Sequence, residues 1–154
     1  MSEHSNLREL YQEVIIDHNK RPRHFYEISQ HTHHAKGFNP LCGDKLELFL
    51  VIKDNLIKDV GFKGAGCAIS TASASLMTEA LINKSVDDAE KIFQCFHALV
   101  TQKNDSTINV TLLGKLSVLK GVQEFPSRIK CATLAWHTLQ AALKQQEKTV
   151  STEE

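Results

Sequence analysis

The spacing of hydrophobic residues predicts a helix near each end of the chain. Between Asn6 and His18, apolar residues recur every three or four positions, as they do on the buried stripe of a helix. These residues are Leu7, Leu10, Tyr11, Val14 and Ile15. Asn19 and Pro22 are expected to end this first helix. A similar stripe after Pro126 predicts the last helix, with Ala132, Trp136, Leu139 and Leu143 on one face.

The middle of the chain changes to the period of two that is typical of strands. Lys45 to Lys53 alternates between two faces, Asp54-Asn55 is a turn signal, and Leu56 to Lys63 returns as a second strand. The stretch from His24 to Phe38 is predicted to be a loop that could hold a short strand before Gly37. A meander of two or three antiparallel strands is therefore expected.

Two further helices follow the predicted strands. Gly64-Ala-Gly66 breaks the second strand, and a helix is expected from about Cys67 to Asn83. The first half of this helix is almost all Ala, Ser and Thr, which predicts a close neighbour. The next helix is expected to start at Ser85, a plausible N-cap, and to run to about Thr101.

The remaining segments carry weaker signals. Gln102 to Thr107 is predicted to be a polar loop, and Ile108 to Val122 is ambiguous, with a possible short helix from Lys115 to Gly121. The tail from Gln145 to Glu154 is polar and is expected to fray. The sequence thus predicts one α+β domain over residues 1–154, in which a small antiparallel sheet packs against about five helices.

Composition and charge exclude some classes of function. The chain has 154 residues, of which 42% are hydrophobic, and its 18 basic and 18 acidic residues cancel. Neutrality provides no general attraction to nucleic acid or to an anionic membrane. The first six residues are polar, and the stretch from Leu46 to Ile52 is too short to span a bilayer. We therefore expect a cytoplasmic protein with no nucleic-acid or membrane partner.

Three of the four cysteines lie where predicted elements begin or end. Cys42 precedes the first predicted strand, Cys67 lies at a strand-to-helix junction, and Cys131 lies at or near the start of the last helix. The N-terminus of a helix favours a thiolate, which is the form that binds metal or attacks as a nucleophile. In a reducing cytosol, such cysteines are more often ligands, nucleophiles or core residues than disulfide partners.

Asp44 adds a carboxylate to this set. It lies two residues after Cys42, with Gly43 between them, so one short loop can present a sulfur and a carboxylate to the same ion. Together with Cys67 and Cys131 it would make a Cys3Asp set, and sulfur-rich tetrahedral sites favour zinc or iron–sulfur species. Spacing alone also allows the alternative that the cysteines are unrelated core residues.

Three ordered segments resemble the signature segments of the NifU/IscU/SufU family of iron–sulfur cluster assembly proteins. They are residues 39–44 (NPLCGD), 64–70 (GAGCAIS) and 127–133 (SRIKCAT). The first helix is also similar to that family's opening helix, so the resemblance covers about residues 7–145. It implies an IscU/SufU-like fold and a metal or cluster site made by Cys42, Asp44, Cys67 and Cys131.

Departures from the IscU type place the resemblance closest to the SufU branch. Lys130 stands where IscU-type members have a histidine, the segment Phe125 to Lys130 replaces their Leu-Pro-Pro-Val-Lys, and the chain between Asp87 and Cys131 is longer. The SufU branch implies bound Zn²⁺, with Cys42 taking persulfide sulfur from a SufS-type cysteine desulfurase for apo iron–sulfur acceptor proteins or an assembly complex. The alternatives are a scaffold that assembles a [2Fe–2S] cluster on the same ligands, or a structural zinc domain.

Other residues that could carry chemistry have simpler explanations. Cys95 shares a helical face with Ile92 and Leu99, which predicts packing. His31, His33 and His34 could bind a metal but are expected to be solvated in a loop. His137, next to Trp136, is expected to pack.

Two groups of charged residues remain open between two interpretations. Arg128 and Lys130 are either solvent-facing cations or a support for the thiolates or for a partner. His18, Arg21 and Arg23 either mark a partner-facing surface or complement the C-terminal end of the first helix.

Overall fold

The computed structural model describes residues 3–101, 108–144 and 150–151, and it confirms an α+β domain. The first half contains α1 (Glu3–Lys20), β1 (His33–Asn39), β2 (Asp44–Lys53), β3 (Leu56–Ala65) and α2 (Ala68–Leu81). The second half contains α3 (Val86–Thr101), α4 (Val110–Leu113), a 3-10 helix (Gly114–Glu124), α5 (Pro126–Leu143) and β4 (Val150–Ser151).

The sheet has the strand order β3-β2-β1-β4, and its first three strands form the predicted antiparallel meander. Asp54 and Asn55 connect β2 to β3 with φ angles of 53° and 64°, which matches the twist of a two-residue hairpin turn. Asn39 and Asp44 are paired at the other end, where β1 turns into β2. This end of the sheet therefore presents the first predicted ligands.

The sheet is larger than the sequence predicted. The possible short strand before Gly37 is β1, which continues to Asn39; its buried positions, Ala35, Gly37 and Asn39, alternate, but a hydrophobic pattern does not count Gly or Asn. The tail does not fray at Val150–Ser151, which pairs in parallel with Gly37 and Phe38. The other tail residues, 145–149 and 152–154, and the predicted loop at 102–107 lie outside the described residues.

Helix α2 fills the centre of the helical layer. Ten of its 14 residues are buried, and its small side chains admit α5 closely, as the sequence predicted. The Ser73 hydroxyl donates a hydrogen bond of 2.6 Å to the carbonyl oxygen of Ala132 and accepts one of 3.2 Å from the indole N–H of Trp136. Helix α5 in turn covers β1 and β2, so it brings Cys131 towards the β1–β2 connection.

The remaining helices follow the sequence less closely. Ser85 caps α3 as predicted, accepting a bond of 3.0 Å from the Asp88 N–H. The ambiguous segment forms α4 and the longer 3-10 helix, separated by Gly114 with a φ of 55°. Helix α5 begins at Pro126 itself, so Cys131 lies in its second turn rather than at its N-terminus. Within the described ranges, no helix is both long and apolar enough to cross a bilayer.

Candidate metal centre

The turn at residues 40–43 places Cys42 and Asp44 beside each other. Cys42 is exposed on this turn, whereas Asp44 is 0% exposed as the first residue of β2. Gly43 has a φ of 71°, a left-handed conformation that side chains disfavour. Gly43 therefore allows one short loop to present both a sulfur and a carboxylate, as predicted.

The junction of β3 and α2 holds the Asp44 carboxylate. The Cys67 N–H donates a hydrogen bond of 2.7 Å to Asp44 Oδ1. A Cβ atom on Gly66 would lie 2.4 Å from that oxygen, so glycine is the residue that admits the carboxylate. Cys67 is the N-cap of α2, and its Sγ accepts a bond of 3.4 Å from the Ser70 N–H. Cys67 thus occupies the helix N-terminus that the sequence predicted.

Cys131 reaches the site from α5 on the opposite side. Its side chain is 0% exposed, and its Sγ lies 3.2 Å from the Cys42 Sγ. The ligand atoms of Cys42, Asp44 and Cys131 all lie within 4.8 Å of one another. Cys67 is not in that closest group, but its Sγ lies 3.9 Å from Asp44 Oδ2.

The group of Cys42, Asp44 and Cys131 is close enough to share one ion, with Cys67 next to it. With metal–sulfur bonds of about 2.3 Å, neighbouring sulfur ligands of a tetrahedral site lie about 3.8 Å apart, and a carboxylate oxygen lies slightly closer. The Cys42–Cys131 sulfur separation of 3.2 Å is shorter than that value, and the Cys67 sulfur would have to move closer to complete a four-ligand site. Three sulfurs and one oxygen suit Zn²⁺ or an iron–sulfur species.

Cys67 and Cys131 have pKa values that are shifted in opposite directions. The pKa of Cys67 is lowered to about 6, first by the hydrogen bond from Cys131 and then by the N–H groups of Ser70 and Ile69, against opposing contributions from burial and Asp44. The pKa of Cys131 is raised because it donates to Cys67 and because it is buried. One thiolate therefore forms readily in this pair, on the cysteine that caps α2.

Asn39 is a part of the site that the sequence analysis did not single out. Its side chain is fully buried and contacts both Asp44 and Cys131. Its only sequence signal is its position in the NPLCGD segment, in which Cys42 and Asp44 are the residues of a metal-ligand type.

His18, Arg21 and Arg23, at the end of α1, do not form one surface patch. His18 is buried, with its Nδ1 2.7 Å from the Ser75 hydroxyl, which contradicts a partner-facing role for it. Burial lowers the pKa of His18, so the imidazole tends to be neutral. Arg23 forms an ion pair of 2.7 Å with Asp17, and Arg21 is exposed.

The other sulfur and histidine candidates lie apart from the centre. Cys95 Sγ accepts a bond of 3.2 Å from the Asn109 N–H, and His137 packs against Phe93, as predicted. His31 and His34 make tilted ring contacts with Phe49, with centroid distances of 5.4 Å and 5.0 Å, rather than being simply solvated in a loop. In the part of the chain that the structure describes, the group at Cys42 is the one place where three or more such residues could share an ion.

Arg128 and Lys130, the cations near Cys131, are compatible with both interpretations given for them. Arg128 is exposed and Lys130 is half-buried, both in the first turns of α5. Their positions fit solvent-facing residues as well as a surface that a partner contacts.

Comparisons with known proteins identify the class. Residues 10–132 match the NifU-like N-terminal domain family. The chain is 41% identical over 142 residues to the iron–sulfur cluster assembly scaffold protein IscU of Streptococcus pyogenes serotype M1, covering 92% of this chain and 87% of that protein. It is 38% identical over 148 residues to the zinc-dependent sulfurtransferase SufU of Bacillus subtilis (strain 168), covering 96% and 98%.

The fold agrees with these relatives. A crystal structure of an iron–sulfur cluster assembly scaffold protein for the SUF system from Fervidobacterium islandicum AW-1 superposes with a TM-score of 0.81 at 32% identity, covering 88% of this chain and 97% of that one. The chain therefore belongs to the NifU-like N-terminal domain family, as the resemblance predicted. Its relatives include both scaffold proteins and a zinc-dependent sulfurtransferase, so both predicted functions fit the family.

Proposed function

We propose that this protein serves iron–sulfur cluster assembly as a zinc-dependent sulfur acceptor, which takes persulfide sulfur from a cysteine desulfurase of the SufS type onto Cys42. The observation that carries the proposal is the difference in exposure within one site. Cys42 is exposed, whereas Asp44 and Cys131 are 0% exposed. The 38% identity to a zinc-dependent sulfurtransferase over nearly the whole chain supports the same function.

The residues that would hold zinc are Cys42, Asp44, Cys67 and Cys131. When bound, zinc would favour the deprotonated form of the thiols at neutral pH. Asp44 is oriented for this role by the Cys67 N–H, and Cys67 and Cys131 are fixed by α2 and α5. Three of the four ligands therefore belong to regular elements and do not need to move.

Cys42 is suited to receive sulfur because its turn is open to a partner. Leu41 beside it is 65% exposed, and no atom lies within 4 Å of the position where Gly43 would carry a Cβ. In the transfer, the Cys42 thiolate attacks the outer sulfur of the desulfurase persulfide. The sulfur–sulfur bond of the donor breaks, a new one forms on Cys42, and the desulfurase cysteine leaves as a thiolate, so no external oxidant is required.

The persulfide on Cys42 would then supply apo iron–sulfur proteins or an assembly complex in the cytoplasm. A scaffold that assembles a [2Fe–2S] cluster on the same ligands is the second candidate. It is favoured by the 41% identity to a protein named as a scaffold. The two functions differ in the metal that the ligands hold and in whether Cys42 carries sulfur by itself.

Metal analysis of protein purified without added metal separates the two functions. The proposal predicts one zinc per chain, no visible iron–sulfur absorption, and a faster desulfurase reaction when the protein is added. A protein with no zinc and with iron–sulfur absorption would favour the scaffold.

A further inference from the structure

Asn39 lies at the centre of the contacts that hold the ligands, although it is not a ligand. Its side chain is 0% exposed at the end of β1. The amide nitrogen donates to Asp44 Oδ2 at 3.3 Å and to Cys131 Sγ at 3.5 Å. The amide oxygen accepts from the Leu41 N–H at 3.3 Å.

The oxygen contact fixes the start of the turn that carries Cys42. An asparagine oxygen bonded to the N–H two residues later forms an Asx turn, which reverses the chain without other support. Because Leu41 directly precedes Cys42, this bond sets the direction in which the turn leaves β1. The same contact orients the amide, since the oxygen faces Leu41 and the nitrogen must then face the ligands.

The nitrogen contacts join two ligands from different elements. An amide NH₂ has two hydrogens, and here one can serve the β2 carboxylate and the other the α5 sulfur. Each ligand atom then has a fixed orientation with electron pairs left for an ion. Groups behind the ligands that orient them typically change metal affinity about 10–100-fold when they are removed.

We infer that Asn39 is a positioning residue that sets the geometry of three ligands at once: Asp44 and Cys131 through its NH₂ group, and Cys42 through the turn. This inference rests on the proposed function, because it assigns Asn39 a role towards the metal that the four ligands would hold.

Two variants separate the parts of this role. Asn39→Ser keeps an oxygen that can accept from the Leu41 N–H, but its side chain is too short to reach Asp44 or Cys131. Asn39→Asp keeps the shape and the acceptor, but places a second carboxylate against Asp44. Thr138→Ala is a matched control: Thr138 is equally buried, contacts β1 at Gly37 from α5, and donates at 2.7 Å to the Leu134 carbonyl without touching the site.

The readouts are the zinc dissociation constant by chelator competition, the visible spectrum of Co²⁺-loaded protein, and the melting temperature of the zinc-free form. We expect Asn39→Ser to bind zinc about 10–100-fold more weakly, with a shifted Co²⁺ spectrum. Asn39→Asp also loses both donated bonds, so its Co²⁺ spectrum should shift as well. Thr138→Ala should lower the melting temperature but keep the wild-type affinity and spectrum. Wild-type affinity and spectrum in Asn39→Ser would overturn the inference.

A measurement on the unaltered protein keeps the inference testable even where a variant fails to fold. In zinc-loaded protein, the side-chain NH₂ protons of Asn39 should exchange with solvent far more slowly than those of the exposed Asn109. Equal exchange rates would overturn the inference while leaving the metal site intact. A wild-type protein that takes up neither zinc nor Co²⁺ would instead refute the proposed function, and with it the inference.

Discussion

The two sides of the candidate metal centre differ in how they are held. On the buried side, Asp44 accepts a 2.7 Å bond from the Cys67 N–H, and Cys131 lies within the second turn of α5. On the open side, Cys42 lies on an exposed turn, and the contact shown for its sulfur is the one of 3.2 Å to Cys131. Under the proposed function, the buried side would retain the ion and the open side would react.

Replacing Cys42 should have the largest effect on activity. In Cys42→Ala, we expect stimulation of the desulfurase to fall to background, because no other site cysteine is as accessible. Zinc binding should be weakened but not lost, since Asp44, Cys67, Cys131 and water can still supply four ligands. Desulfurase turnover and bound zinc are measured on the same preparation. Full stimulation of the desulfurase by this variant would contradict the assignment of Cys42 as the reacting residue on the open side.

Replacing Cys67 or Cys131 should have the opposite effect, because zinc binding is lost before sulfur acceptance. Cys67→Ala and Cys131→Ala are expected to lose zinc and the stability that zinc confers, which is about 2.7 kcal/mol when free zinc is about 100 times its dissociation constant. The melting temperature should fall by about 5–10 °C relative to zinc-loaded wild type. Elemental analysis and thermal unfolding test this, and unchanged zinc content in either variant would contradict it.

A pair of glycine variants compares the two sides directly. Gly66→Ala would push a methyl group to 2.4 Å from Asp44 Oδ1, so we expect about 1–3 kcal/mol of destabilisation together with weaker zinc binding. Gly43→Ala meets no atom within 4 Å but is forced to a φ of 71°, so it should cost about 1 kcal/mol and affect Cys42. Denaturant unfolding and zinc titration distinguish them. Stronger zinc loss in Gly43→Ala than in Gly66→Ala would contradict the assignment of zinc retention to the side that contains Asp44.

The pH dependence of thiol alkylation tests the pair of Cys67 and Cys131. Because the pKa of Cys67 is lowered to about 6 by the bond from Cys131, its alkylation in zinc-free protein should increase as pH rises through about 6. Cys131→Ala removes the donor, so the midpoint should move upward, towards that of an ordinary thiol. Mass spectrometry after timed alkylation resolves each cysteine. A midpoint unchanged in Cys131→Ala would show that the bond from Cys131 does not set the pKa.

Cys95 should give the smallest effect and serves as the negative control. Cys95→Ala removes an acceptor for the Asn109 N–H, which should cost about 0.5–1.5 kcal/mol of stability. Zinc content and desulfurase stimulation should match those of the wild type, because the residue lies on α3, away from the site. A loss of transfer at normal stability would reveal a second working thiol.

The candidate ligands could be proposed from the sequence, whereas the residues that support them could not. Cys42, Asp44 and Cys67 lie next to glycines at breaks in the hydrophobic pattern, and those breaks are where the structure forms the turn and the helix cap. Asn39 and Gly66 act through contacts between elements distant in sequence, such as β1 with α5, and no local period reports such contacts.

The elements of the fold also divide into those that the sequence predicts and those that it does not. Strands β2 and β3 and helices α2 and α3 follow from strong patterns and caps. Strand β1 was expected only as a possible short strand, because its buried positions include Gly37 and Asn39, which hydrophobic patterning does not count. Strand β4 is only two residues long and is defined by pairing with β1 rather than by its own sequence. The partner-facing alternative for His18 fails for a related reason: a polar residue at a helix end gives no sign that the fold will bury it against Ser75.

The most direct test of the central claim is to locate the sulfur that the desulfurase delivers. The zinc-loaded protein is incubated with a SufS-type desulfurase and cysteine, trapped by alkylation without reductant, and mapped by mass spectrometry. We expect one added sulfur on Cys42, with Cys67, Cys95 and Cys131 unmodified. Added sulfur on Cys67 or Cys131, with Cys42 unmodified, would contradict the assignment of an open reactive side and a buried retaining side.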